Sequence, residues 1–164
     1  MKPRFKNLNA ASHATKAMLA LESAVENSGL DQMLVDLVKL RASQINGCAY
    51  CIDMHFREAR ARGESDQRLY LLDAWRDSPV YTDRERAALA WTEAVTLITK
   101  DQVPDDVYSQ ARDHFSESEL ANLTLAIVAI NGWNRFNIAF RNMPAAATTP
   151  LPASAMREPE VVAG

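Results

Sequence analysis

The chain predicts an all-α fold, on three observations. Apolar residues recur at three- and four-residue spacings along most of its length, no Val/Ile/Thr-rich alternating run offers a strand, and glycine is scarce, at 5 of 164 residues. That length has room for one domain with a sizeable core and is short for two. The expected organisation is a single domain of about six to eight helices over residues 1–143, followed by a flexible tail over 144–164.

The elements follow in order. Over 12–28, Met18, Leu19, Leu21 and Val25 keep helical spacing until Gly29. Asp31 is placed to cap a second helix, in which Leu34, Leu37, Val38, Arg41 and Ile45 share a 3.6-residue period until Asn46-Gly47 interrupts it. A third helix starts at or just before Cys48 and runs to Gly63, and a fourth covers "DQRLYLLDAWRD", ahead of Pro79. Thr82 and Glu85 have capping-box spacing and open a fifth, with Ala88, Leu89, Trp91, Ala94, Val95 and Ile98 on its apolar face. Pro104 suits the first turn of a sixth, reaching about Phe115. Ser116 and Glu119 repeat the capping box before the longest apolar run, which the small Gly132 either kinks, splits or opens to another backbone. From Pro144 onward four prolines and no periodicity predict the tail.

A formal net charge of −3 supplies no basic field, which disfavours nucleic acid as the main partner. The N-terminus lacks the apolar stretch of a signal peptide, and no run of 18 apolar residues is present, so a cytoplasmic protein outside the membrane is expected. In a reducing compartment a C-x-x-C pair is more often redox-active or metal-binding than a permanent staple.

Both cysteines of the chain and one of its three histidines fall in "NGCAYCIDMHF", residues 46–56. On a helix, at about 100° per residue, Cys48, Cys51 and His55 lie within roughly 60° of one another. Gly47 lets the backbone turn sharply, placing Cys48 at a helix N-terminus, where free N–H groups favour a thiolate. The three-residue spacing lets the sulfurs close and reopen a disulfide, with His55 relaying the proton. The rival readings are inert buried thiols and a zinc site of Cys48, Cys51 and His55, which needs a fourth ligand or a water; His13, His114 and Asp36 are the candidates. No second C-x-x-C completes a cage, and neither a metal nor a cofactor enters the expected site, because a dithiol carries electrons itself.

At these residues the sequence resembles a known family. Residues 37–98, with "RASQINGCAYCIDMH" as the most specific string, resemble the AhpD-like alkyl hydroperoxidases of the carboxymuconolactone decarboxylase superfamily, and the likeness continues through "AINGWNRFNIAFR", so that it covers about residues 14–143. The resemblance implies a helical homo-oligomer, a trimer or hexamer, and thiol-dependent reduction of a hydroperoxide. It also implies a proton-relay carboxylate on the preceding helix, usually glutamate, where this chain has Asp36. Aspartate is one methylene shorter, and reaches His55 through water or not at all. Tyr50 stands where well-known members carry a histidine.

The expected mechanism has one cysteine attack the peroxide and the other resolve the sulfenic acid to a disulfide, which a lipoyl-bearing or thioredoxin-like dithiol reduces. The helix dipole favours Cys48 as thiolate, whereas the one-turn spacing to His55 favours Cys51; the assignment adopted is attack by Cys51 and resolution by Cys48. The alternatives are decarboxylation of a lactone acid and a non-catalytic helical oligomer with structural zinc or buried thiols.

Overall fold

The computed structural model describes residues 2–4 and 12–144, so the tail expected over 144–164 lies, beyond Pro144, outside the described residues. Among these there are eight α-helices and no strand: α1 (His13–Glu26), α2 (Gln32–Asn46), α3 (Ala49–Ala61), α4 (Asp66–Leu71), α5 (Asp83–Thr96), α6 (Ile98–Asp101), α7 (Asp105–His114) and α8 (Glu117–Phe140), with a 3-10 turn at Leu72–Ala74. The all-α expectation holds. Among the described residues no helix is long and apolar enough to cross a membrane.

The starts and stops come from local chemistry. Asp31 accepts from the backbone N–H groups of Met33 and Leu34 and so caps α2. Thr82 with Glu85, and Ser116 with Glu119, form complete capping boxes at α5 and α8. Ser12 does the same work alone for α1, accepting from Thr15.

Helix α2 lies at the centre, against α3, α5 and α8. Its run from Leu34 to Leu40 is buried throughout, including Asp36 and Lys39. Leu34 and Val38 enter one apolar cluster with Val25, Ala88, Leu123 and Ile127. Leu37 and Leu40 turn the other way, to Ala59, Leu69, Leu72 and Leu89. A helix apolar on opposite faces must be covered on both, and each leucine so enclosed contributes about 2 kcal/mol.

Two expectations are corrected. The fourth helix does not run to Asp77: α4 stops at Leu71 and the chain tightens into the 3-10 turn. From α5, Arg86 donates to the carbonyls of Trp75, Arg76 and Ser78, which would otherwise sit at the end of that helix. At Gly132, α8 is not split but runs through as one helix. A Cβ there would lie 2.8 Å from Met18 Cε, so the glycine makes room for a side chain of α1 rather than for another backbone.

Candidate active site

The Asn46-Gly47 break works as a hinge of fixed shape. Gly47 ends α2 at φ 67°, in the left-handed region, and its N–H bonds back to Gln44 O while that of Cys48 reaches Ser43 O. The same end of α2 is tied to α8, because Asn46 Nδ2 donates to Asn131 and Asn134 Oδ1, and Asn134 Nδ2 donates to Ser43 Oγ. One residue of left-handed backbone thus delivers Cys48 as the N-cap of α3, where its sulfur accepts from the Cys51 N–H at 3.3 Å.

Cys48 and Cys51 are joined as a disulfide across Cα atoms 5.3 Å apart, and both are buried, at 1% and 0% exposure. His55 follows on the same helix face, itself 4% exposed. The structure therefore brings together the three residues that helical spacing predicted.

His55 is held by a partner the sequence reading did not name. Its Nδ1 lies 2.9 Å from Glu58 Oε2, one turn further along α3, and its Nε2 is buried without a hydrogen-bond partner. The bond from His55, ahead of the opposing effect of burial, holds the Glu58 carboxyl below the usual glutamate range. An ionised carboxylate only accepts, so Nδ1 carries a proton toward Glu58, and Nε2 is the ring position left for the site.

Asp36 is near but engaged elsewhere. Both its oxygens accept from Arg62 Nη1, at 3.0 and 2.7 Å, and no direct bond to His55 is made. Burial raises its pKa above the ordinary value, outweighing Arg62, although the charge of His55 also acts on it. Lys39, three residues further along α2, pairs with Glu22 on α1.

A cavity of about 690 Å³ opens on this face. Tyr50, His55, Glu58, Asp36 and Asn137 line it together with an apolar wall of Leu19, Met54, Trp133 and Met143. The cysteines do not line it; they stand behind Tyr50, His55 and Asn137 rather than in a shared opening. On the α8 side Asn137 Nδ2 donates to Cys51 Sγ at 3.3 Å. Neither remaining histidine joins the cluster, since His13 begins α1 and His114 ends α7. Among the described residues no group of three His, Cys, Asp or Glu side chains is placed to hold a metal.

The carboxymuconolactone decarboxylase family profile matches residues 12–94, from α1 through the dithiol helix into α5. The uncharacterized protein YdfG of Bacillus subtilis is 41% identical over 145 residues, which span 88% of this chain and 99% of that protein. The chain belongs to the carboxymuconolactone decarboxylase family. Within the family, the uncharacterized protein YnjA of Escherichia coli is 34% identical over 128 residues, covering 77% of this chain and 69% of its own. A crystal structure from Agrobacterium tumefaciens, of unknown function and provisionally assigned to AhpD antioxidant defence, superposes with a TM-score of 0.86 at 47% identity, over 89% of this chain and all of that one. The debrominase Bmp8 shares the fold, with a TM-score of 0.73 at 20% identity over 80% of this chain and 71% of its own. The AhpD-like character expected from "RASQINGCAYCIDMH" is thus supported over nearly the whole described chain.

Two site residues escaped the sequence reading. Glu58 carried a usable signal, since an acid three residues after a histidine on a helix shares its face. Asn137 carried none, being 86 residues from Cys51 in a run of several asparagines.

Proposed function

We propose that the protein is a thiol-dependent peroxidase that reduces organic hydroperoxides through Cys48 and Cys51. The carrying observation is the closed Cys48–Cys51 pair on one helix face with His55, whose Nδ1 is fixed by Glu58 and whose Nε2 has no partner. Cys51 as thiolate attacks the outer peroxide oxygen; the O–O bond breaks, Cys51 becomes a sulfenic acid, and the alkoxide leaves as alcohol with a proton from the imidazolium of His55. Cys48 then attacks the Cys51 sulfur, forming the disulfide and releasing water. A lipoyl-bearing or thioredoxin-like dithiol returns two electrons and two protons through mixed-disulfide exchange. Asp36, which shares the cavity, keeps Arg62 in place and tunes the charge around His55 rather than binding it. The working form is a homo-oligomer, a trimer or hexamer, in the cytoplasm.

The cavity favours a neutral peroxide over a lactone acid. Lys39 and Arg62 are the lysine and arginine among its lining residues and both are already paired, against carboxylates at Glu22, Glu26, Asp36 and Glu58. A substrate carboxylate would meet net negative charge there. Full turnover of a lactone acid by the Cys48→Ser, Cys51→Ser double variant would nonetheless establish the decarboxylase reading.

Burial of both sulfurs favours a second reading, in which the thiols only pack. Consumption of cumene hydroperoxide with dihydrolipoamide as reductant separates the two, run on the wild type, Cys48→Ser and Cys51→Ser. The peroxidase reading expects both variants to fall to the uncatalysed rate; equal rates in all three proteins would remove it. Labelling of reduced wild type by a thiol reagent within minutes, with the fold intact, would speak against inert packing.

A further inference from the structure

Asn137 is a buried amide on α8 whose side chain makes three hydrogen bonds. Its Nδ2 donates to the carbonyl of Trp133 at 2.9 Å, and its Oδ1 accepts from Asn142 Nδ2 at 2.7 Å. A carbonyl can only accept, so the atom facing Trp133 is the amide nitrogen, and the second N–H on that nitrogen is the one aimed at Cys51 Sγ, 3.3 Å away. Neither fixing contact involves sulfur. Reducing the disulfide therefore leaves this donor in position, while Cys51 stays on the first turn of α3.

We infer that Asn137 is the anion-stabilising partner of reduced Cys51, a donor that selects this sulfur as the nucleophile, with Asn142 as the residue that keeps the amide turned the right way. A donor-only group beside a buried sulfur favours the charged form over the thiol, and its effect is large where water is excluded. Cys48 receives only the backbone N–H of Cys51 among the described contacts, in keeping with its role as the resolving sulfur. The inference rests on the reading of Cys51 as the attacking thiol, and its test uses no peroxide, so each can fail alone.

The charged and titratable groups around Cys51 are few. On α3 they are Cys48, Tyr50, His55 and Glu58, with Arg62 at its end; on α2 they are Asp36 and Lys39. On α8 this level offers the neutral Trp133 and Asn137, and the neighbouring Arg135 is exposed and bonded back to Asn131. All of these except Cys48 are unchanged in the comparison below, which isolates the amide.

The test is the midpoint of the Cys51 thiolate, read by absorbance at 240 nm and by the pH dependence of iodoacetamide alkylation, in the Cys48→Ser background so that one thiol titrates. Replacing Asn137→Ala should raise the midpoint by about one pH unit, a roughly tenfold loss of thiolate below it. Asn142→Ala should move it in the same direction by less. A residue that only braced α8 would leave the midpoint in place. A change smaller than ~0.3 unit in folded Asn137→Ala, or in Asn142→Ala should the first variant not fold, overturns the assignment.

Discussion

Glu93 on α5, with 13% of its side chain exposed, and the buried Asp36 on α2 both face arginine, yet they are held in opposite ways. Glu93 accepts from Arg41 Nε at 2.9 Å, from Trp75 Nε1 at 2.8 Å and from Arg76, so donors cover both of its oxygens. Burial pushes its pKa up, but the hydrogen bonds from Trp75 and Arg76 and the charge of Arg41 outweigh it and leave the carboxyl below the usual range. Asp36 has one partner, Arg62, whose own side chain is 45% exposed, and burial wins: its pKa is raised. A carboxylate ringed by donors is a permanent charge that pins α5 to the turn after α4. One that shares a single solvent-facing arginine, beside a histidine with an unpartnered nitrogen, is under the proposed function the acid placed to exchange protons.

The contrast can be broken most sharply at His55. Under the proposed function, His55→Gln should lower hydroperoxide turnover about 100- to 1000-fold while the thermal midpoint stays near that of the wild type, because Nε2 makes no bond that the fold uses. Steady-state rates beside a melting curve check this; a protein equally active with glutamine would take the histidine out of the chemistry. Glu93→Gln should do the reverse, costing about 2 kcal/mol in urea unfolding by removing the charge that Arg41 and Arg76 share and leaving Arg41 only the exposed Asp73, with the rate per folded molecule retained. Its pH dependence has a definite sign. A lowered carboxylate contributes stability above the ordinary value of 4.5 and loses it as pH falls through the folded value, so wild type and variant should converge below pH 4.5.

Glu58→Gln exchanges the carboxylate that fixes the His55 tautomer for a neutral amide that can donate as well as accept, and about a tenfold loss of turnover is expected, smaller than for the ring itself because the carboxylate is half exposed. Asp36→Asn is the mildest. It should change stability by less than about 1 kcal/mol at neutral pH, since the exposed Arg62 can turn to water. An acid with a raised pKa stabilises the fold below that value and loses the contribution as pH rises through it. The asparagine variant should therefore gain on the wild type as pH climbs above the ordinary 3.8, opposite to the glutamate on α5. Equal behaviour of the two variants in a urea and pH series would erase the distinction.

What was legible in the sequence was what the chain decides within one turn. Asp31, the two capping boxes and Gly47 act on backbone groups three residues away or fewer, and each does in the structure what its spacing predicts. The convergence of Cys48, Cys51 and His55 is equally local. The misread segment after α4 depends on Arg86, which reaches back 8 to 11 residues to collect carbonyls, and no periodicity within 66–77 reports that. Asp36 was nominated by resemblance, but its partner Arg62 lies 26 residues away on the far side of the dithiol helix. Asn137 is more distant still. Two asparagines of α8 clasp α2, a third touches sulfur, and their identical side chains conceal the division of labour until helices are packed.

The clasp at Asn46 has a consequence for the whole catalytic cycle. Because the left-handed Gly47 and the amides bridging α2 to α8 contain no sulfur, opening the disulfide should leave them intact, and oxidised and reduced protein are expected to share one main-chain course around Gly47. A neighbour pressed against that surface would feel no difference between the two forms. Amide hydrogen exchange over residues 42–52, measured in both redox states, should show matching protection at Gly47 and Cys48.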